Sequence, residues 1–532
     1  MAVASSRRPL ASGAIAIAFA AAACLLPRAA ASPLWDYVHR DDGCFAWNDT
    51  GRTIVGGSNS SLLAGWTGHI LNLTSLCWLT PSDFSSPVGH VWTHQLVVVV
   101  PDRQPWAFPD AGGLYITGGG NGDSDPTADD EDILVCASLA TTVGIACATL
   151  FQIPNQDITF AADPLQKARG EDALIAYTWN DFMIKHQDSP ERIAYFPMAK
   201  AAIKALDATS AFLARRFGGP PVTRWITAGA SKRGATTWLT GAVGDPRIIG
   251  IVPIVFDVLN FKQGVQHMWQ TLGNWTFAFA DYRDNNVTAH LNDGTNYMDV
   301  LAAQIDPLAY KENLTMSKLI VDATGDEFFQ PQDDEFWWGQ LPGESLRMMV
   351  DNAEHSMATG ALYLITGAET WLKALLEGSP RPSFTWSLNA EDGSITAQVN
   401  GPLQPVLAVD RMTTTLDGYR RDFRLVSGDT PANPCPYIKV PLFGSACLRP
   451  LIWIGNSIGP VTPFDGASST YVAHVDPPAA GWRAHLIEFY FNSTIPGLYF
   501  QLTTQVSTVA ALGTPLFPFP LCVGIACNGD LV

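Results

Sequence analysis

The chain has 532 residues, enough for several domains or for one large α/β domain with an additional unit. Hydrophobic residues make up 47% and charged residues 15%, which is the composition of a packed globular protein and excludes a mainly disordered chain. The formal net charge of −18 argues against nucleic acid as a partner, because phosphate contacts require clustered Lys and Arg.

Residues 1–31 have the features of a secretory signal peptide. Arg7 and Arg8 precede an apolar stretch over residues 11–26, and small residues suited to cleavage follow at 29–31. The alternative is a membrane anchor, but the stretch is shorter than the roughly 20 residues that span a bilayer. Since no later segment is long and apolar enough, the sequence predicts a secreted chain with no membrane span.

Cysteines and sequons agree with export. An even number of cysteines in an exported chain predicts disulfide bonds, and sequence neighbours are the simplest partners; the alternative, a zinc site, lacks any CxxC pair. The eight cysteines beyond the signal peptide are Cys44, Cys77, Cys136, Cys147, Cys435, Cys447, Cys522 and Cys527. Seven Asn-x-Ser/Thr sequons predict glycosylated surface positions. They are Asn48, Asn59, Asn72, Asn274, Asn286, Asn313 and Asn492.

Short apolar runs separated by helical stretches predict a parallel sheet covered by helices on both faces. Residues 33–85 precede this pattern and predict an irregular, β-rich leader. The predicted strands are 91–100, 114–117, 224–228, 248–255, 318–323 and 346–350, and the clearest helix is 190–216. Residues 260–316 interrupt the alternation with aromatic residues and three sequons, which predicts an insertion. It would be either a lid or pocket wall, or an additional helical subdomain at the surface.

The composition changes near residue 378, where Gly and Pro cluster over 378–382. The boundary divides the mature chain into 32–378 and 379–532. Beyond it, seven short β-branched and aromatic runs separated by turn residues predict a β-sandwich without catalytic residues, followed by a tail. These runs are 383–389, 394–399, 421–426, 451–454, 471–475, 484–491 and 501–506.

Ser231 is the candidate nucleophile. It lies in Gly229-Ala230-Ser231-Lys232-Arg233-Gly234, between the predicted strand 224–228 and a predicted helix. A serine at a tight strand-to-helix turn exposes its hydroxyl above the sheet edge, and the helix N-terminus favours developing negative charge. The glycine spacing differs from Gly-x-Ser-x-Gly, so a purely structural turn is the alternative.

A serine nucleophile requires a base and a carboxylate that orients it, and in this kind of fold the chain order is Ser, acid, His. His355 follows the predicted strand 346–350, at the sheet edge where ligands bind. Asp326 stands directly after the strand 318–323 and is the preferred acid. Its competitors are Glu327, Asp333 and Asp334, and the alternative role for each is that of a solvated loop carboxylate.

Backbone N–H groups would complete such a site by binding an oxyanion. Gly119 and Gly120, in a glycine run after an early strand, predict this role together with the N–H of Lys232; a flexible turn is the alternative. Asn121 follows the run and is a candidate substrate-binding residue. Glu171 and Asp172 open a predicted helix. Their carboxylates either interact favourably with the positive end of the helix dipole or line the pocket and hold a substrate amine.

The sequence predicts no cofactor and no metal. The glycine run contains neither GxGxxG nor the GK[ST] ending of a nucleotide loop. The acidic segment 123–132 lacks EF-hand spacing, because Ala128 replaces the glycine and no Glu closes the loop. A solvated acidic loop is the simpler interpretation of that segment.

Several longer motifs resemble one family, the PhoPQ-activated pathogenicity-related proteins, which includes a secreted autocrine proliferation repressor of social amoebae. The motifs are Gly170-Glu171-Asp172-Ala173-Leu174, Ala230-Ser231-Lys232-Arg233-Gly234-Ala235-Thr236-Thr237-Trp238, Gly244-Asp245-Pro246-Arg247, Ala323-Thr324-Gly325-Asp326-Glu327-Phe328-Phe329, Asn352-Ala353-Glu354-His355-Ser356, Gly481-Trp482-Arg483-Ala484 and Thr503-Thr504-Gln505-Val506. The resemblance implies an α/β-hydrolase domain followed by a β-sandwich, and it places the nucleophile, acid and base at Ser231, Asp326 and His355. A dipeptidyl-type peptidase activity and a signalling role are both associated with amoeba members.

Together these patterns predict a secreted serine hydrolase that acts on a small ester or peptide. The alternative is a secreted signalling protein that represses proliferation through a cell-surface receptor and retains the fold without needing catalysis. A third possibility is a carbohydrate- or surface-binding protein dominated by the sandwich.

Overall fold

The computed structural model describes residues 32–57, 63–429, 434–440 and 446–532. The predicted signal peptide over 1–31 and the sequon at Asn59 lie outside the described residues.

Twenty strands and nine α-helices make up the described chain. The strands are β1 Ala46–Val55, β2 Trp66–Cys77, β3 Val91–Pro101, β4 Ala111–Ile116, β5 Ala146–Leu150, β6 Arg224–Ala230, β7 Ile248–Ile254, β8 Ser317–Ala323, β9 Ser345–Val350, β10 Ser383–Leu388, β11 Ile395–Asn400, β12 Leu407–Thr414, β13 Val426–Gly428, β14 Ile438–Val440, β15 Ala446–Leu448, β16 Ile454–Ile458, β17 Ser468–Ala473, β18 Trp482–Asn492, β19 Tyr499–Thr503 and β20 Ser507–Ala510. The helices are α1 Pro33–His39, α2 Glu131–Val143, α3 Glu171–Lys185, α4 Tyr195–Phe217, α5 Lys232–Ala242, α6 Phe261–Leu272, α7 Ala280–Asp284, α8 Tyr297–Ile305 and α9 Ala361–Glu377.

A nine-stranded sheet organises the first two thirds of the chain. Its strand order is β1-β2-β3-β5-β4-β6-β7-β8-β9. Strands β4 to β9 pair in parallel, whereas β3 is antiparallel to both of its neighbours. This order, with a serine at the turn after β6, is that of the α/β-hydrolase fold, so the predicted fold class is confirmed.

Helices cover both faces of the sheet, as the uninterrupted apolar strands predict. Helices α1, α4 and α5 lie on one face, and α2 and α9 pack together on the other. The apolar run at 96–100 of β3 is buried along its whole length because both faces are covered. No helix in the described part of the chain is long and apolar enough to cross a membrane.

The leader predicted as irregular is instead regular and belongs to the sheet. It begins with helix α1, whose first turn is stabilised by Pro33 and by the Ser32 hydroxyl, which accepts a hydrogen bond from the N–H of Trp35. Strands β1 and β2 then extend the sheet edge in antiparallel pairing. Strand β1, at the edge, is largely exposed, whereas β2, between β1 and β3, is largely buried.

Two antiparallel sheets pack face to face after residue 380. One has the order β10-β11-β17, and the other has β16-β12-β18-β19, with β20 also on β18. Phe384 of the first sheet meets Phe489 of the second with ring centroids 5.1 Å apart. A third small sheet, β13-β15-β14, contacts residues 277–279 of the insertion through β13. Strand β12 was not predicted from the sequence.

Two predicted C-terminal strands are wrong. Residues 421–425 are irregular because their backbone N–H groups bond outside any strand ladder: that of Arg421 donates to the Thr271 carbonyl and that of Leu425 donates to the Gly325 carbonyl. The strand predicted at 451–454 begins only at Ile454; before it, Leu451 and Trp453 are buried in the core, whereas Ile452 is exposed.

The two halves of the chain share a core. Arg347 on β9 donates hydrogen bonds to the Thr503 hydroxyl at 3.1 Å and to the Thr504 carbonyl at 3.0 Å, both in the C-terminal half. The N–H of Leu425 donates to the carbonyl of Gly325, one residue before the predicted acid. The loop that carries Asp326 is therefore held from both sides of the predicted boundary.

The eight cysteines form four disulfides between sequence neighbours. The pairs are Cys44–Cys77, Cys136–Cys147, Cys435–Cys447 and Cys522–Cys527. Such a set is typical of chains that fold in an oxidising compartment.

Candidate active site

Ser231 occupies a sharp turn between β6 and α5. Its φ of 59° and ψ of −127° lie outside the regions that L-residues ordinarily adopt, so the turn holds a strained residue. A Cβ on Gly229 would approach the Ile116 carbonyl oxygen to 2.9 Å, and one on Gly234 would approach the Ile254 carbonyl to 2.6 Å. Glycines at positions −2 and +3 therefore allow the close backbone approach, even though the spacing is not Gly-x-Ser-x-Gly.

Ser231, His355 and Asp326 lie in one chain of contacts. The Oγ of Ser231 is 2.8 Å from Nε2 of His355. The Nδ1 of the same ring is 2.9 Å from both carboxylate oxygens of Asp326. Because a carboxylate only accepts, Nδ1 carries the ring hydrogen and Nε2 presents its lone pair to the serine hydroxyl. The arrangement is that of a nucleophile with its base and orienting acid.

Backbone amides hold Asp326 in place. The N–H groups of Phe328 and Phe329 donate to its Oδ1 at 2.7 Å and 3.1 Å. The side chain is buried, so its negative charge acts on the imidazole with little screening by water. Burial alone would lower the pKa of His355, but the attraction and hydrogen bond of Asp326, together with Glu327, outweigh it and raise that pKa.

Glu327 lies beside the acid, and sequence reasoning treated it only as a competitor. Its Oε2 accepts a hydrogen bond from the backbone N–H of His355 at 2.8 Å. Burial, and next the neighbouring Asp326 carboxylate, raise the pKa of Glu327 to about 7. Its contact with the backbone fixes the loop that carries the base.

The serine opens into a cavity of about 260 Å³. The insertion predicted between β7 and β8 supplies much of the wall, through residues just before and within α7. The lining residues are Asp172, Ser231, Lys232, Phe277, Ala278, Ala280, Asp281, Glu327, Phe328 and His355. A reacting group bound here would meet Ser231 between apolar side chains and carboxylates.

Glu171 and Asp172 both form ion pairs with Lys232. Its Nζ lies 2.9 Å from Oε2 of Glu171 and 3.1 Å from Oδ2 of Asp172. Asp172 also accepts a hydrogen bond from the Tyr282 hydroxyl at 2.9 Å. Burial would raise the pKa of Glu171, but Arg233 and Lys232 outweigh it and lower that pKa to about 2. These carboxylates already hold cations of the chain itself.

Arg233 is a structural residue of the site that sequence reasoning did not single out. It donates to the Ile153 carbonyl through Nε at 2.5 Å and to Glu171 through Nη2 at 2.6 Å. Gly118 packs against its guanidinium, where a Cβ would come within 2.6 Å of Nη2. Its position two residues after the nucleophile, where a glycine is usual, was the available signal.

The predicted oxyanion role of the glycine run is wrong for Gly120. Its N–H donates to Oδ2 of Asp123 at 2.5 Å and is not available to a substrate. Gly119 lines a different cavity, with Asp123 and Asp132, and its carbonyl accepts from the Gln156 side chain. Asp123, at the start of the acidic segment 123–132, thus binds the backbone of the glycine run. The spacing of the glycines alone did not predict this contact. Lys232 remains the predicted donor, since it opens α5 and first-turn N–H groups lack intrahelical acceptors.

Asn121 also lies away from Ser231. Its side chain donates to Oδ1 of Asn155 at 3.0 Å, and it lines a polar cavity beside β1 and β2. Among the described residues, no group of three or more His, Cys, Asp or Glu side chains is arranged to hold a metal ion.

Six predicted sequons lie in the described residues and differ in exposure. Asn48, Asn72, Asn286 and Asn492 are exposed, and the first two stand directly opposite each other on β1 and β2. Asn274 and Asn313 are half-buried. The Asn274 oxygen accepts from the Asp530 N–H, and the Asn313 amide donates to the Ala242 carbonyl. A glycan at either half-buried amide would displace these contacts.

The remaining competitors for the acid have other partners. Asp333 lies 2.5 Å from Nδ1 of a second buried histidine, His267, and Asp334 pairs with Arg347. Neither aspartate lines the cavity at Ser231. Of the four carboxylates that the sequence left open, Asp326 is the one bonded to the His355 ring.

The chain matches a known protein family and is similar in sequence to a named protein. The profile of the family described as PhoPQ-activated pathogenicity-related protein matches residues 36–424. Autocrine proliferation repressor protein A of Dictyostelium discoideum is 33% identical over 510 residues, covering 94% of each chain.

Solved structures similar to the chain include two acetyl xylan esterases. The one from Thermoanaerobacterium sp. JW/SL YS485 has 11% identity and a TM-score of 0.40, covering 65% of this chain and 92% of its own. The one from Paenibacillus sp. R4 has 13% identity and a TM-score of 0.40, covering 62% and 92%. Strand order and the turn at Ser231 assign the fold here.

Proposed function

We propose, from the premise that this chain belongs to the PhoPQ-activated pathogenicity-related family, that it is a serine hydrolase of small esters or peptides. The observation that supports this function best is the continuous contact from Ser231 through His355 to Asp326, opening into a cavity. A dipeptidyl-peptidase-like activity is the narrower form of the same proposal.

The proposed mechanism is acyl transfer. Ser231 Oγ attacks the carbonyl carbon while Nε2 of His355 takes its proton, and Asp326 keeps the ring oriented through Nδ1. The Lys232 N–H, at the N-terminus of α5, stabilises the tetrahedral oxyanion. The leaving group departs with the proton from His355, and water then releases the acyl group by the same steps.

Labelling with a fluorophosphonate tests this function, because the serine oxygen displaces fluoride from phosphorus. We expect the wild-type chain to be labelled at Ser231 and the Ser231→Ala chain to remain unlabelled. Ser356→Ala is the matched control, since Ser356 adjoins the base but its hydroxyl donates to Glu354. A wild-type chain that stays unlabelled while folded would rule out the serine mechanism.

A signalling role is the second candidate, supported by the name of the Dictyostelium relative. We propose export through residues 1–31 and, as a consequence, an extracellular site of action with a cell-surface receptor as partner. Ser231→Ala separates the two roles. If this variant represses proliferation of the cells that produce the protein as strongly as wild type does, signalling does not need catalysis.

A further inference from the structure

The cavity at Ser231 carries an excess of negative charge. Three carboxylates line it, those of Asp172, Asp281 and Glu327. In the part of the chain that the structure describes, Lys232 is the single lysine or arginine among the lining residues. A ligand that complements this wall has a positive charge, because cavities select ligands of complementary potential.

The charge of Lys232 is already used. Its Nζ bridges Glu171 and Asp172, which were the sequence-based candidates for holding a substrate amine. Arg233 adds a second cation on Glu171. Neither carboxylate is therefore free to hold a substrate cation without breaking an ion pair.

Asp281 differs from these two. Its side chain is half-buried on the cavity wall and has no hydrogen-bond or ion-pair partner among the described residues. Burial, and next the nearby Asp172 carboxylate, raise the pKa of Asp281, as expected for a carboxylate that lacks a cation. The next residue, Tyr282, is buried and bonded to Asp172, so the backbone that presents Asp281 is anchored.

We infer that Asp281 is a specificity-determining residue that binds a positively charged group of the substrate, such as an ammonium. The inference rests on the proposed hydrolase function and names the substrate class of that same site. A sphere of the cavity's volume is about 8 Å across, so the charge would stand within a few bonds of the carbonyl that Ser231 attacks.

Two matched pairs of esters test the inference. In the first, 4-nitrophenyl 4-(trimethylammonio)butanoate is compared with its neutral carbon isostere, 4-nitrophenyl 5,5-dimethylhexanoate. In the second, choline butanoate is compared with 3,3-dimethylbutyl butanoate, which places the charge in the leaving group. Each pair differs in one charge at constant shape, so the ratio of kcat/KM values measures recognition of charge.

We expect the wild-type chain to prefer the cationic ester of at least one pair by about tenfold, and Asp281→Asn to lose most of that preference. The preference should also fall with added salt, because a half-exposed pair is screened. Asp284→Asn is the matched control: Asp284 lies on the same helix, α7, and is exposed and paired with Arg283. That variant should keep the wild-type ratio.

The outcomes are distinct for the two proposals. A chain that reacts with fluorophosphonate but shows no cation preference in either pair overturns the inference and leaves the hydrolase function standing. An unreactive chain overturns the hydrolase function first. If Asp281→Asn does not fold, two other measurements decide. Asp281→Glu keeps the charge and should keep the preference for the cationic ester. The wild-type ratio should fall with added salt, and a salt-independent ratio would contradict the inference.

Discussion

Two buried histidines, His355 and His267, each contact an aspartate through one ring nitrogen but differ in the group that the other ring nitrogen contacts. Each places Nδ1 against an aspartate, Asp326 in one case and Asp333 in the other. Nε2 of His355 faces the Ser231 hydroxyl, whereas Nε2 of His267 contacts a guanidinium nitrogen of Arg421.

The second ring nitrogen decides what each pair can do. Arginine only donates, so in His267 the Nε2 lone pair is occupied by an N–H that does not transfer its proton. Burial, and next Arg421, lower the pKa of His267 to about 3, while the pKa of His355 is raised. A His–Asp pair is thus a base only where its free nitrogen meets a group that can lose a proton.

The largest expected effect comes from removing one carboxylate at a time. We expect Asp326→Asn to slow fluorophosphonate labelling of Ser231 by about 10³- to 10⁴-fold, because the amide no longer orients the imidazole or stabilises its charge. Asp333→Asn should change the rate by less than about threefold. Labelling is compared at equal amounts of folded protein, judged by circular dichroism. Equal losses in both variants would contradict the distinction between the two pairs.

Stability should show the reverse order. The two carboxylate oxygens of Asp333 meet different donors, the ring of His267 and the backbone N–H of Gln330, so the NH₂ of Asn would leave one of them unsatisfied and we expect the free energy of unfolding to fall by about 2 kcal/mol. Asp326→Asn should cost about 1 kcal/mol, since its backbone donors can still bond the amide oxygen. Denaturant unfolding followed by tryptophan fluorescence measures both variants. A larger loss for Asp326→Asn would mean that the His267 pair is not a structural one.

The smallest expected effect is on pH dependence. His355 acts as a base only when neutral, so the labelling rate should rise with pH, with a midpoint above the ordinary histidine pKa of about 6.5. Glu327 contributes to raising that pKa, and Glu327→Gln should therefore move the midpoint to lower pH. Labelling rates across a pH series check the shift; a midpoint that moves upward would contradict the role given to Glu327.

Features that depend on residues close together in the chain were predicted from the sequence better than features that depend on distant contacts. Strands β3, β4 and β6 to β9 were predicted from runs of apolar residues, because burial on both faces leaves a direct mark in the sequence. The irregular segment 421–425 was predicted as a strand because polar and apolar side chains alternate along it with the two-residue period of a β-strand. Its buried polar side chains bond instead to distant parts of the chain. Strand β12 was missed for a related reason, since it contains the polar residues Asp410 and Thr413, which are buried in the fold.

The sequence by itself determined the strand–turn–helix around Ser231, the chain order of nucleophile, acid and base, and the cysteine neighbours close enough to pair. These depend on residues near one another in the chain, whose backbone preferences act locally. Only the tertiary structure decided that Asp326 and not Asp333 meets His355, that Asp123 captures the N–H of Gly120, and that Asp281 lies on the cavity wall. The reason is that neighbouring residues of a loop point in different directions, and packing against elements far along the chain selects which side chain reaches the site.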